Sequence, residues 1–139
     1  MTKSLINPAS LVKPNGFSHA VLASGRLLFL AGQIGADATG RVAAPDDLVA
    51  QFRQALANLQ VVVTEAGGQM TDIVKLTLFV TDKQDYLEQL KPIGEAYRSF
   101  FGRYFPAMTL VEVSSLFDDE AMIEIEGLAV LAEERPSGS

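Results

Sequence analysis

The sequence predicts an α+β domain, a mixed β-sheet with two helices packed on one of its faces. Three observations carry this. Residues 48–66 place apolar side chains at helical spacing, residues 73–81 alternate apolar and polar as a half-buried strand does, and Phe105–Val113 enters a strand through a proline. Strand-like runs occur both as neighbours and on either side of a helical run, which mixes hairpin with βαβ character.

Residues 1–15 carry Asn7, Pro8, Pro14 and Asn15 and read as an extended arm. Phe17–Ala23 then reads as a strand, with Phe17, His19 and Val21 on one face. Ser24-Gly25 reads as a tight turn, and Arg26–Gln33 as the partner strand of a β-hairpin. The run Leu27–Ala31 has no polar alternate, so this second strand is expected to be covered on both sides. Gly32 at its end permits close approach of another group to the backbone, or marks a bulge.

Gly35–Pro45 is a loop with Asp37 and Thr39-Gly40 as turn residues. The first helix follows: Leu48, Phe52, Leu56, Leu59, Val63 and Ala66 form its apolar stripe, Asp46-Asp47 suit its start, and Gly67-Gly68 its end. Gln51, Gln54, Asn58 and Glu65 are expected to face water.

In the strand Ile73–Thr81, Val74, Leu76, Leu78 and Val80 share one face; Ile73, Lys75, Thr77, Phe79 and Thr81 share the other. A second helical pattern places Tyr86, Leu90, Ile93, Tyr97 and Phe100 or Phe101 together. Pro92 within it predicts a kink or a fresh start, since proline fits only the first turn of a helix. The proline-led strand comes next, then an acidic turn at Phe117–Glu120 and a last strand, Met122–Leu131, with Ile123 and Ile125 facing one way and Glu124 and Glu126 the other. Phe79, Leu128 and Val130 would share their face with Lys75 and these glutamates. A face so mixed fits a subunit interface with a polar pocket better than it fits solvent. Residues 1–132 form a single domain, and 133–139 read as a flexible tail.

Composition limits the partners. The chain has 139 residues, no cysteine, one histidine and a net charge of −6, with no basic run, so it lacks the footprint of a phosphate-backbone binder. Thiolate chemistry, Cys-ligated zinc and any pair of His ligands are excluded, and no metal or cofactor is expected. The N-terminal residues lack a signal peptide's apolar core and no run is long enough to span a membrane, so a cytoplasmic protein is expected.

Phosphate loops, nucleophile elbows and His-Glu-x-x-His are absent. The chemistry left is a strand carboxylate, Glu124, suited to general acid–base work or to an ion pair with Lys75 or an arginine, and a solitary imidazole, His19, suited to a site or to a satisfied place in a strand. Met108, at the start of its strand, reads as core filler or as the lining of a ligand site.

Taken together, Gly16-Phe17-Ser18-His19-Ala20-Val21, Ala31-Gly32-Gln33-Ile34, Asp72-Ile73-Val74-Lys75-Leu76-Thr77, Phe105-Pro106-Ala107, Val111-Glu112-Val113 and Ile123-Glu124-Ile125-Glu126 resemble the Rid family, also called YjgF-like or L-PSP endoribonuclease-like. The likeness covers nearly the whole chain in order. It implies a chorismate-mutase-like fold, a homotrimer whose sheets form a central barrel, and a small-molecule ligand in each intersubunit cleft. The implied activity is hydrolysis of enamines and imines such as 2-aminoacrylate. The implied site has Glu124 positioning water, with Phe17, His19, Ala31, Gly32, Met108, Thr109 and Leu110 around the substrate.

Four positions depart from the family pattern. Met108 stands where the imine hydrolases carry a carboxylate-gripping arginine, Phe17 where a tyrosine is usual, Ala31 where a serine is, and Gly94 where an asparagine aligns. A thioether cannot replace a guanidinium fork. Two readings follow: a Rid-like hydrolase of altered specificity, or a trimeric metabolite-binding protein without the chemistry. Ribonuclease activity ranks third, given the acidity and the lack of a His pair.

Overall fold

The computed structural model describes residues 3–133, so the tail expected over 133–139 lies, apart from Glu133, outside the described residues. Among these the strands are β1 (Lys3–Ile6), β2 (Ala20–Ala23), β3 (Arg26–Ile34), β4 (Ile73–Val80), β5 (Ala107–Glu112) and β6 (Ile123–Leu131). The helices are α1 (Leu48–Glu65), α2 (Lys83–Glu88) and α3 (Leu90–Phe101).

The main sheet has the order β3-β6-β4-β5, antiparallel except for the β4–β5 pair. A parallel neighbour needs a crossover, and α2 and α3 provide it. The helices cover one face: Leu48, Phe52, Leu56, Leu59 and Val63 of α1 and Ile93, Ala96 and Phe101 of α3 pack with Leu76, Leu78, Val80, Ile123 and Ile125. This is the mixed α+β arrangement that the sequence predicts. Asp47 caps α1 by accepting from Ala50 N at 3.0 Å, as its position suggests. The second helical run divides, and Pro92 falls in the first turn of α3, so it begins a helix instead of bending one.

The expected hairpin does not form. β2 pairs with β1 in a separate antiparallel ribbon, Lys3 opposite Ala23 and Ile6 opposite Ala20, while β3 pairs with β6 alone. The Ser24-Gly25 link is a hinge between two sheets. Gly25 has φ +152°, and a side chain there would strike the Leu131 carbonyl and crowd Val130 Cγ1. The ribbon crosses to the other edge of the main sheet. Ser18 N donates to Pro106 O at 3.0 Å, Ser18 Oγ to Phe105 O at 2.7 Å, and Lys3 Nζ bonds Thr71 O while lying 3.8 Å from the centre of the Tyr104 ring.

Other expectations need correction. Leu27 and Phe29 are 60% and 75% exposed, so within one chain β3 is covered on its helix side only. Val130 is buried beneath the Gly25 link and is not part of the open face, and Ile73 is buried because the β4–β6 register slips between Ile73 and Lys75. Gln51 is 1% exposed: its Nε2 donates to Ala44 O and Glu120 O, and its Oε1 accepts from Met122 N at 2.8 Å. Half-buried Asn58 donates to Ile34 O and Ala36 O. The polar side of α1 thus holds the chain that leaves β3 and the chain that enters β6.

Candidate active site

The face of the sheet away from the helices carries the carboxylate. Between Leu30 and Gln33 the β3–β6 register shifts, so that Ala31 and Gly32 stand against the single Glu126. The bulge turns Gly32 toward Glu124. A methyl group on Gly32 would collide with Glu124 Oε2 and lie 2.8 Å from its Cδ, so the half-buried carboxylate rests directly on the glycine backbone. Phe79 of β4 stands opposite Glu124 in register, and Thr77 opposite Glu126. Lys75 is not paired with either glutamate; its Nζ donates to Thr109 Oγ1 at 2.7 Å.

The other face holds a cavity of about 930 Å³ between the β4–β5 edge, the α2–α3 crossover and the arm that precedes β2. Leu76, Leu78, Met108 and Leu110 form its strand wall, Tyr86, Ile93, Gly94 and Tyr97 its helical wall, and Asn15, Gly16 and Phe17 its arm side. Its size suits a small organic ligand. Among the described residues its charged lining consists of Lys83, Arg98 and Arg103, with no Asp or Glu.

Tyr97 stacks between Phe101 and Phe105, with ring centres 4.5 and 5.1 Å away, and its hydroxyl donates to Tyr104 O. Burial pushes its phenol far above the ordinary range. The Tyr104 phenol, bonded to Ile73 O at 2.6 Å, is pushed up to about 12, mainly by burial and further by the nearby Asp72 carboxylate.

The expected site residues therefore fall into groups. Phe17, Met108 and Leu110 line the cavity, whereas Glu124, Ala31 and Gly32 lie together on the opposite face, with Thr109 also on that side. His19 belongs to the arm: its ring bonds Val12 O at 2.7 Å, its backbone N–H donates to Asn7 Oδ1, and its edge meets Phe17 at a centroid distance of 5.3 Å. One copy of the chain does not bring the carboxylate and Met108 together. Sequence reasoning missed Arg98, although its spacing of four residues from Gly94 sets both on one face of α3. No group of three or more His, Cys, Asp or Glu among the described residues could hold a metal ion, and no described helix is long and apolar enough to cross a membrane.

A mixed sheet with helices on one face, a bulge seated on a strand carboxylate and a cavity at the parallel edge define a mixed α+β domain. The match to known proteins narrows this. Residues 9–131 fit the family model described as endoribonuclease L-PSP, and the chain belongs to that family, the Rid or YjgF family. A RutC family protein of Pyrococcus horikoshii is 34% identical over 127 residues, covering 91% of this chain and 97% of its own. The 2-iminobutanoate/2-iminopropanoate deaminase of Escherichia coli is 40% identical over 110 residues, 76% of this chain and 80% of that one. Among solved structures, YyfB from Yersinia pestis, a Rid family protein of unknown function, superposes with a TM-score of 0.84 at 36% identity, covering 94% of this chain and all of that one.

Proposed function

We propose that this protein is a Rid-type hydrolase that converts an enamine or imine into a carbonyl compound and ammonia, in clefts built between the copies of a homotrimer. The observation that carries the reading is Glu124 lying against the Ala31–Gly32 bulge, on a face whose exposed Phe29 calls for a covering partner. A neighbouring copy applied to that face would bring its own cavity, with Met108 and Phe17, toward Glu124.

In this mechanism an enamine first takes a proton at carbon and becomes the iminium form of the imine. Glu124 accepts a proton from water as the oxygen bonds to the C=N carbon, giving a carbinolamine. Glu124 returns that proton to the nitrogen and then takes the hydroxyl proton as the C–N bond breaks, so that ammonia leaves and a carbonyl remains. In this reading the Gly32 N–H donates to the oxygen. Because Met108 offers no bidentate grip, the substrate differs from the short imino acids handled by the E. coli relative.

The other reading, a trimeric metabolite-binding protein without turnover, draws on the absence of any carboxylate from the described cavity lining. Glu124→Gln separates the two, since the amide keeps the shape but cannot take the proton. The variant should remain a trimer by light scattering at micromolar concentration and lose imine hydrolysis across a panel of amino-acid imines. Turnover equal to wild type, or a wild type that is monomeric, would refute the proposal.

A further inference from the structure

Gly94 and Arg98 lie one turn apart on α3, and a methyl group on Gly94 would come within 3.2 Å of Arg98 Nη1. The guanidinium therefore lies over the bare glycine, at the wall of the cavity that both residues line. An alanine at position 94 would require the guanidinium to shift by a few tenths of an ångström. Among the described residues no hydrogen bond or ion pair occupies the Arg98 side chain. The other charged residues of the described cavity lining are Lys83 and Arg103, and the lining holds no carboxylate, in a chain whose acidic residues outnumber its basic ones by 17 to 11. Across the cavity Met108 and Leu110 present a thioether and an alkyl chain.

From this arrangement we infer that Arg98 is the specificity-determining anion grip of the cavity, and that the ligand is a monocarboxylate with an apolar body. The carboxylate pairs with the guanidinium on α3, and the body lies along Met108, Leu110 and Phe17. A planar fork favours carboxylate, and the apolar wall favours a chain longer than that of a short imino acid. The inference names the substrate class of the site proposed above and rests on that reading for its catalytic meaning. Its binding claim is independent of turnover.

Calorimetric titration with octanoate, octanol and pyruvate tests it, using the wild type and the variants Arg98→Gln, Arg98→Lys, Lys83→Gln and Arg103→Gln. Octanoate should bind the wild type more tightly than octanol does, and pyruvate should bind far more weakly than octanoate. Arg98 is exposed at the rim of the cavity, so Arg98→Gln should weaken octanoate by about three- to fivefold, the loss expected for an exposed ion pair, and leave octanol unchanged. Arg98→Lys, which keeps charge without the fork, should fall between. Circular dichroism melting checks that the variants fold.

Equal affinity for octanoate and octanol, no octanoate binding, or a loss confined to Lys83→Gln or Arg103→Gln would overturn the assignment. A failure of the hydrolase reading would show in turnover while this binding pattern persisted, so the two can fail separately.

Discussion

Gly32 and Glu124 meet across the β3–β6 pair so closely that the glycine has no room for a side chain. The contact makes the carboxylate's position a property of the bulge as well as of its own strand. Gly32→Ala should displace the Glu124 carboxylate and lower imine turnover with little loss of stability, because the group that must move is the end of a flexible, half-buried side chain. Thermal melting and imine turnover measured together check this; unchanged turnover would show that the carboxylate moves aside without consequence.

Met108 sets a second expectation. Wild-type protein should clear 2-aminoacrylate poorly, and Met108→Arg should improve clearance, by a factor of roughly 30 to 150 if the new arginine makes a full bidentate contact. Amino-acid oxidase coupled to semicarbazide trapping of the imine gives the readout. Efficient clearance by the unmodified protein would contradict the argument from the thioether.

Gln51 joins α1 to the residues that enter β6, through bonds to Ala44 O, Glu120 O and Met122 N. Gln51→Leu keeps the volume but leaves buried backbone groups without partners. The cost should be about 2–3 kcal/mol, read as a lowered midpoint in urea.

Alkaline pH should lower the stability of the fold. Tyr104 has a folded-state pKa of about 12 against an ordinary 10.0, so the folded form holds the phenolic proton more tightly. Its contribution is complete below pH 10 and is lost as the pH rises toward 12; Tyr97, also raised by burial, acts in the same direction. Denaturation midpoints should therefore fall over that interval alongside a rise in tyrosinate absorbance, and Tyr104→Phe should flatten the fall.

Periodicity made much of this legible. The stripe from Leu48 to Val63 and the alternation in β4 reflect burial against a single face, which local spacing records directly. Pro92 marked the start of α3 for the same local reason. The β1–β2 pairing was hidden, because Ser24-Gly25 satisfies the local rule for a hairpin while the actual partner, Lys3–Ile6, is short and lies in a segment rich in turn residues. Gln51 looked solvated because amphipathic spacing records polarity and not the neighbours that satisfy it. In the candidate site, Glu124, Gly32 and Met108 stood out by type, but their separation onto two faces depends on strand register and a bulge.

The bond from Ser18 Oγ to Phe105 O joins residues 87 positions apart, and the one from Lys3 Nζ to Thr71 O joins residues 68 apart. The same few bonds make the ribbon a unit that can lift while the core stays folded, so amide hydrogens of residues 3–6 and 20–23 should exchange ahead of those in β4 and β6. Since Phe17 travels with this ribbon, one wall of the ligand cavity is set by a local opening equilibrium, and a ligand held against Phe17 would slow that exchange by the amount it stabilises the closed form.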